Sequence, residues 1–272
     1  MNETEKFRQE VEENIRGLMA DQDVQALSRI WLREITPYKY AYNFTWLGRP
    51  LIQFPQDMAA FQELFWQVKP DLVIEAGIAH GGSLILHASL LSLLDYCDAV
   101  EAGQVLDPKK PKRRVLGLDI DIRAHNRAAI EAHPMAHRID MIEGSSIAAD
   151  TIAKVHGIAA NYQRILVILD SNHTHDHVLA ELEAYAPLVS PGSYCCVLDT
   201  LIEDMPARFF GPERPWAPGN SPKTAVRAYL EVLRSEGRKA ADGAALALEI
   251  DKALDGKLLI SAAPDGFLKR LG

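Results

Sequence analysis

A chain of 272 residues, 48% hydrophobic and 24% charged, can bury a full core, which excludes an intrinsically disordered chain and fits one large domain or one domain with an appendage. Its net charge of −8 argues against a general nucleic-acid binder. Three cysteines, two of them adjacent, exclude a disulfide framework and suit a reducing, cytoplasmic location.

The first segment, MNETEKFRQEVEENIRG, is charged and lacks the apolar core of a signal peptide, and the apolar stretches further on read as too interrupted for a membrane span. Residues 5–33 predict one amphipathic helix, with Phe7, Val11, Ile15 and Leu18 at helical spacing. Pro37 and the run Tyr38, Tyr40, Tyr42, Phe44, Trp46 break that pattern, so YKYAYNFTWLGRPLIQFPQD reads as an ordered loop with aromatic anchors. A helix restarts near Gln56 and ends before Pro70. Residues 1–55 are therefore expected to form an N-terminal helical and aromatic extension, and residues 56–272 the main domain.

From there the rhythm is strand, then helix. The strands are DLVIEAG, RRVLGLDI, HRIDMIEG, RILVILD and GSYCCVLDT, and each of the first four is followed by a helical stretch. Continuous apolar strands alternating with helices imply an α/β fold, a doubly wound, Rossmann-like parallel sheet covered on both faces. A helix near residues 224–236 follows, then ALALEID and KLLISAAP, which read as a hairpin with at least one antiparallel C-terminal strand. The stretch PARFFGPERPWAPGNSPKT is long and rich in Pro and Gly, as lids and binding loops are.

In such a sheet, ligands bind beyond the carboxyl ends of the strands. The first end reads E-x-G-x-x-x-G-G-S, from Glu75 through Gly77, Ala79 and Gly81 to Ser83, and not the nicotinamide fingerprint G-x-G-x-x-G. An acid before the first glycine repels phosphate but suits a cationic or hydroxyl-bearing ligand such as S-adenosylmethionine. The alternative is a merely tight strand-to-helix turn. The second strand ends in Asp119, placed to bind two ribose hydroxyls, and Asp121, which either shares that task or caps the next helix. At the third end, one of Ser145 and Ser146 caps a helix and the other touches the adenine.

Asp170 and Asp199 end the fourth and fifth strands and can share one cation, and oxygen ligation favours Mg²⁺ or Mn²⁺ over Zn²⁺. Alternatively, Asp170 caps a helix and Asp199 pairs with a loop. His173, three residues past Asp170, is a candidate general base. His175 and His177 read as surface or helix-start residues, since no single zinc geometry follows from the three histidines. Cys195 and Cys196 point to opposite faces of a buried strand and read as packing.

The segments YNFTWLGRPLIQFPQD, VIEAGIAHGGS, LGLDIDIRAHN, VILDSNHTHDHVL, GSYCCVLDT and RPWAPGNSPKTAV, spread over residues 40 to 265, resemble the cephalosporin hydroxylase family, a branch of the class I S-adenosylmethionine methyltransferases. Relatives in that family include sugar O-methyltransferases, so the family name is not taken as the activity. The layout is also similar to metal-dependent catechol-type O-methyltransferases. That resemblance implies that Glu75, Gly77, Ala79, Gly81 and Ser83 line the cofactor's amino-acid and ribose end, that Asp119 holds the ribose, and that Ser145 and Ser171 lie near the adenine. It implies Mg²⁺ on Asp170 and Asp199, with His173 in the place of the catalytic base. One departure is Leu198 beside Asp199, where the branch can carry Glu-Asp; Thr200, Glu203, water or substrate would fill the gap.

The expected activity is Mg²⁺-assisted methylation of a hydroxyl on a sugar or polyol-containing small molecule. The aromatic loop over residues 38–46 and the loop over residues 206–222 would cover the site. Two other readings stand beside it, a hydroxylase or oxidoreductase on the same scaffold and a non-catalytic, cofactor-binding assembly partner. The apolar, aromatic N-terminal region also predicts a homo-oligomer.

Overall fold

The structure is a computed structural model and describes residues 2–272. Its N-terminal region holds two helices rather than one, α1 (Glu3–Ala20) and α2 (Gln22–Ile35). The break comes at Asp21, whose extended backbone ends α1 and whose carboxylate caps α2 by accepting from the amides of Asp23 and Val24. The aromatic loop contains an antiparallel pair, β1 (Phe44–Trp46) and β2 (Arg49–Leu51), turned by Leu47 and Gly48 at positive φ. This hairpin rests on the helix α4 described below; Trp46 Nε1 donates to Ser89 Oγ at 2.9 Å.

The main sheet follows the predicted alternation. In chain order it runs α3 (Pro55–Val68), β3 (Leu72–Ala76), α4 (Gly82–Glu101), β4 (Arg114–Asp119), α5 (Ala124–Glu131), β5 (Ile139–Glu143), α6 (Ala149–Ala159), β6 (Ile165–Leu169), α7 (His175–Tyr185), β7 (Tyr194–Val197), α8 (Pro222–Ser235), β8 (Leu248–Ile250), α9 (Lys252–Leu258) and β9 (Phe267–Arg270). The seven strands lie in the order β5-β4-β3-β6-β7-β9-β8; β9 is antiparallel to both neighbours and the β5-to-β7 part is parallel throughout. The predicted terminal hairpin is corrected. KLLISAAP is no strand: Asp251 caps α9 at its start, and FLKR supplies the antiparallel strand instead.

Each strand residue alternates between two cores. Val73, Cys196 and Phe267 face α3 and α4, whereas Leu72, Ile74, Cys195 and Leu268 face α6, α7 and α8. Each fully buried aliphatic side chain contributes about 1.5–3 kcal/mol relative to exposure, so the layering follows directly from the apolar runs. The expectation that no stretch is long and apolar enough to cross a membrane does not hold by composition, because α4 meets that test. In the fold, however, α4 is mostly buried and packs on β4.

Asp57, in the first turn of α3, is fully buried; it accepts from Ser261 Oγ at 2.6 Å and from the Ala262 amide at 2.8 Å. Burial pushes its carboxyl up from 3.8 to about 7, against the pull of these hydrogen bonds. An acid with a raised folded-state pKa favours folding while protonated. Its contribution is therefore lost as pH climbs from about 4 to about 7, and is flat above. Asp57→Asn is expected to remove that slope, up to about 1.4 kcal/mol per pH unit. Urea unfolding of both proteins across this window checks it, and parallel stability curves would contradict it.

Candidate active site

The strand order reverses direction between β3 and β6, which makes the crevice beyond their carboxyl ends the natural ligand site. The two ends touch there. Gly77 (φ 101°) leaves β3 with its α-carbon against the backbone carbonyl of Asp170; a Cβ on it would lie 1.9 Å from that oxygen. The glycine is thus required both by its backbone angle and by this close approach. Gly77→Ala is expected to destabilise by about 2–4 kcal/mol, checked by denaturant titration. A loss under about 0.5 kcal/mol would show that the turn can relax.

The rest of the turn is organised by Asp119. Its Oδ2 accepts from the amides of Ile78 (2.9 Å) and Ala79 (3.2 Å), and its Oδ1 accepts from Asp121 (3.1 Å). A carboxylate has about four acceptor directions, so the turn takes most of this one and leaves little for two ribose hydroxyls. Ala79 is exposed in left-handed backbone, Gly81 precedes α4 and Ser83 is half-buried in its first turn. Asp121 is exposed and does not cap α5, whose N-cap residue is Arg123 and which has no side-chain cap.

Glu75, expected to line the ligand, is held against a neighbouring helix. It is 1% exposed, and its Oε2 lies 2.7 Å from Nδ1 of the equally buried His87. Its place in β3 turns it toward α4, and the His87 ring lies flat on Phe65. The sequence offered no sign of His87, because it sits in an otherwise apolar helix.

Beyond β5 and β6, neither serine at the third strand end caps α6. Ser145 is half-buried, and Ser146 is buried with its Oγ 3.0 Å from His177 Nε2. Ser171 donates to Glu181 Oε1 at 2.6 Å, and that oxygen is 3.4 Å from His177 Nε2. His175 and His177 lie in the first turn of α7, as helix-start residues, and His177 is half-buried. Glu181 is wholly buried, and its Oε2 has no partner among the described residues. The i, i+4 spacing of His177 and Glu181 in α7 was the available signal for this pair.

The metal candidates do converge. Ligand atoms of Asp170, His173 and Asp199 lie within 4.8 Å of one another, a set that could hold a metal ion. His173 Nε2 is 3.0 Å from Asp199 Oδ2. Asp199 adopts left-handed backbone (φ 54°), a costly conformation for a residue with a side chain and one found often at functional sites. Leu198 is core, and the proposed substitutes for a second acid there are engaged elsewhere. Thr200 donates to the Pro264 carbonyl, while Glu203 accepts from the Gly219 amide and Ser221. The third of the converging atoms belongs to His173.

Electrostatics follow from this packing. Burial, and then the neighbouring Asp199, raise the Asp170 carboxyl well above the usual carboxylate range. Burial also opposes charge on Asp199, but His173 outweighs it and holds the Asp199 carboxyl low. Burial likewise disfavours the imidazolium, yet Asp199 and Asp170 prevail and His173 rises to about 9.

These three groups line a cavity of about 720 Å³ whose walls come from both predicted covering loops. Tyr40 and Tyr42 enter from one side, and Phe209, Phe210 and Trp216 from the other. The Trp216 ring meets His173 edge-on, 4.8 Å between centroids.

The chain is similar to known proteins over most of its length. The family model described as rhamnosyl O-methyltransferase/CmcI matches residues 38–271. A rhamnosyl O-methyltransferase of Mycobacterium leprae (strain TN) is 28% identical over 231 residues, 83% of this chain and 82% of the relative. Among solved structures, CmcI with Mg and SAM shares the fold, with TM-score 0.50 and 17% identity over 85% of this chain and 78% of that one. MycE methyltransferase with Mg and SAH matches at TM-score 0.47 and 18% identity over 88% of this chain, which spans about half (52%) of MycE. With a match running from residue 38 to residue 271, the chain belongs to the rhamnosyl O-methyltransferase/CmcI family.

Proposed function

We propose that this protein is an S-adenosylmethionine-dependent O-methyltransferase that methylates a sugar hydroxyl with the help of Mg²⁺. The observation that carries it is the Asp170, His173 and Asp199 cluster in an aromatic-walled cavity at the sheet's reversal point, in a chain of this family. Two half-buried carboxylates, with Asp199 held low, fit a hard divalent cation. When bound, the cofactor supplies the methyl group as a sulfonium and the ion lowers the pKa of the acceptor hydroxyl.

The chain's own residues do the rest. Asp170 and Asp199 would hold the ion. His173, whose Nε2 lies 3.0 Å from Asp199 Oδ2, would take the acceptor's proton. Trp216 fixes the imidazole edge-on, and the two aromatic loops exclude water and orient the sugar. The turn from Gly77 to Ser83, with Asp119 behind it, takes the amino-acid and ribose end of the cofactor, and Ser145 and Ser171 border its adenine.

The same reading includes an extension over residues 1–55, a methyltransferase domain over residues 56–272, a cytoplasmic location and a homo-oligomer. Support for the oligomer comes from α1, which buries no residue, and from exposed Phe7, Leu27, Ile30 and Trp31; a monomer mass by light scattering would overturn that part. The activity is tested by calorimetric titration with S-adenosylhomocysteine, with Mg²⁺ and with EDTA, and by methyl transfer to a panel of deoxyhexose acceptors. Absence of cofactor binding would sink the assignment.

A further inference from the structure

The loop over residues 206–222 ends in a tight turn, Ala217-Pro218-Gly219-Asn220. The Asn220 amide donates to the Ala217 carbonyl at 2.8 Å, the Ala217 amide donates to the Asn220 carbonyl at 3.1 Å, and Gly219 takes a φ of 89°. Proline followed by glycine at the two central positions suits a turn that needs positive φ at the second of them. The Asn220 side chain reaches two further groups. Its Nδ2 donates to the Pro215 carbonyl at 2.7 Å, and its Oδ1 accepts from the His175 amide at 2.8 Å. Asn220 is thus bonded to the residue before Trp216, to the residue after it, and to a residue two positions beyond His173. His175 opens α7, and its amide is one of the donors that a helix leaves without an intrahelical partner. Thr174, at the N-cap, makes no side-chain cap bond; its Oγ1 donates to Asn172 Oδ1. The cap therefore comes from the loop. Trp216 has no such tether of its own, since its indole N–H is buried without an acceptor among the described residues. The turn carries the ring to His173, and Asn220 ties the turn to α7.

We propose that Asn220 is a positioning residue for the reaction: by capping α7 from the loop it holds the Trp216 ring against His173, so that one side chain sets both the seat of the loop and the orientation of the base. For its effect on rate the proposal rests on the methyltransferase reading. Glu203 supports the other side of the turn, accepting from the Gly219 amide at 2.8 Å and from Ser221 Oγ at 2.7 Å. Asn220 itself is exposed, and substitutions at the surface change stability little, so its loss can be read at the site without unfolding the chain.

The test reads the His173 ring protons by NMR with ring-labelled histidine, the signal being assigned by its loss in His173→Ala. Spectra are taken on the full chain alone and loaded with Mg²⁺ and S-adenosylhomocysteine. Asn220→Ala is expected to shift this signal in the same direction as Trp216→Ala, because both remove the indole ring current, with S-adenosylhomocysteine affinity unchanged. A merely structural role would lower stability and leave the signal in place. With a sugar acceptor, kcat is expected to fall about tenfold or more in each single variant and no further in the double variant, since the two side chains act as one unit. A His173 signal unmoved in Asn220→Ala or in Trp216→Ala, or rate losses that multiply in the double variant, would each overturn the proposal. The spectra of the chain alone need neither cofactor nor turnover, so failure of the methyltransferase reading cannot be mistaken for failure of this one.

Discussion

Asp170→Asn is expected to abolish divalent-cation binding and to lower kcat by about a thousandfold, with cofactor affinity nearly unchanged. The size follows from the loss of metal assistance, several kcal/mol of transition-state stabilisation at about 1.4 kcal/mol per tenfold. Asp170 is one of only two acids in the cluster, and it sits where β6 meets Gly77. His173→Ala separates the roles of the two residues. A base contributes about a hundredfold to ten-thousandfold, so kcat should fall while metal affinity stays within about threefold. Metal titration and single-turnover rates on both variants check this. Loss of metal binding in His173→Ala would make the histidine a ligand instead of the base.

The second large effect concerns stability. Asp95 in α4 accepts from the guanidiniums of Arg113 and Arg138 (Arg138 Nη1 at 2.6 Å), and all three residues are no more than 5% exposed. Arg113 has a second carboxylate partner in Asp98, whereas Arg138 has none among the described residues. Asp95→Ala would leave a buried cation uncompensated and is expected to cost about 3–5 kcal/mol. That is a large share of the typical 5–15 kcal/mol for a folded domain. Adding Arg138→Met should recover much of the loss, since an apolar side chain of similar length needs no counter-charge. Denaturant curves on the single and double variants test it; a loss under about 1 kcal/mol in Asp95→Ala would show that water reaches the pair.

The β-strand and α-helix alternation was legible because parallel strands buried on both faces read as unbroken apolar runs, as in RILVILD. The strand ends, and with them Asp170 and Asp199, followed from the same signal. What escaped depended on contacts remote in sequence. The hairpin at residues 44–51 contains a proline and gains its stability from α4. KLLISAAP looked like a strand because Leu258 and Leu259 are apolar, but Asp251 starts a helix just before them. The contact of Glu75 with His87, twelve residues away in sequence, could not be read from the strand end. The meeting of Lys39 and Arg214 on one cavity was invisible because they are 175 positions apart in the chain.

Cys195 and Cys196, consecutive in β7, belong to different cores; both are fully buried, and burial raises both thiols well above their usual range. An alkylating reagent can reach either sulfur only when its own layer parts from the sheet. Cys195 therefore times the opening of the α6, α7 and α8 layer, and Cys196 that of the α3 and α4 layer. Half-buried Cys97 supplies the fast reference. One dipeptide thus acts as a pair of clocks, able to show which half of the molecule loosens first.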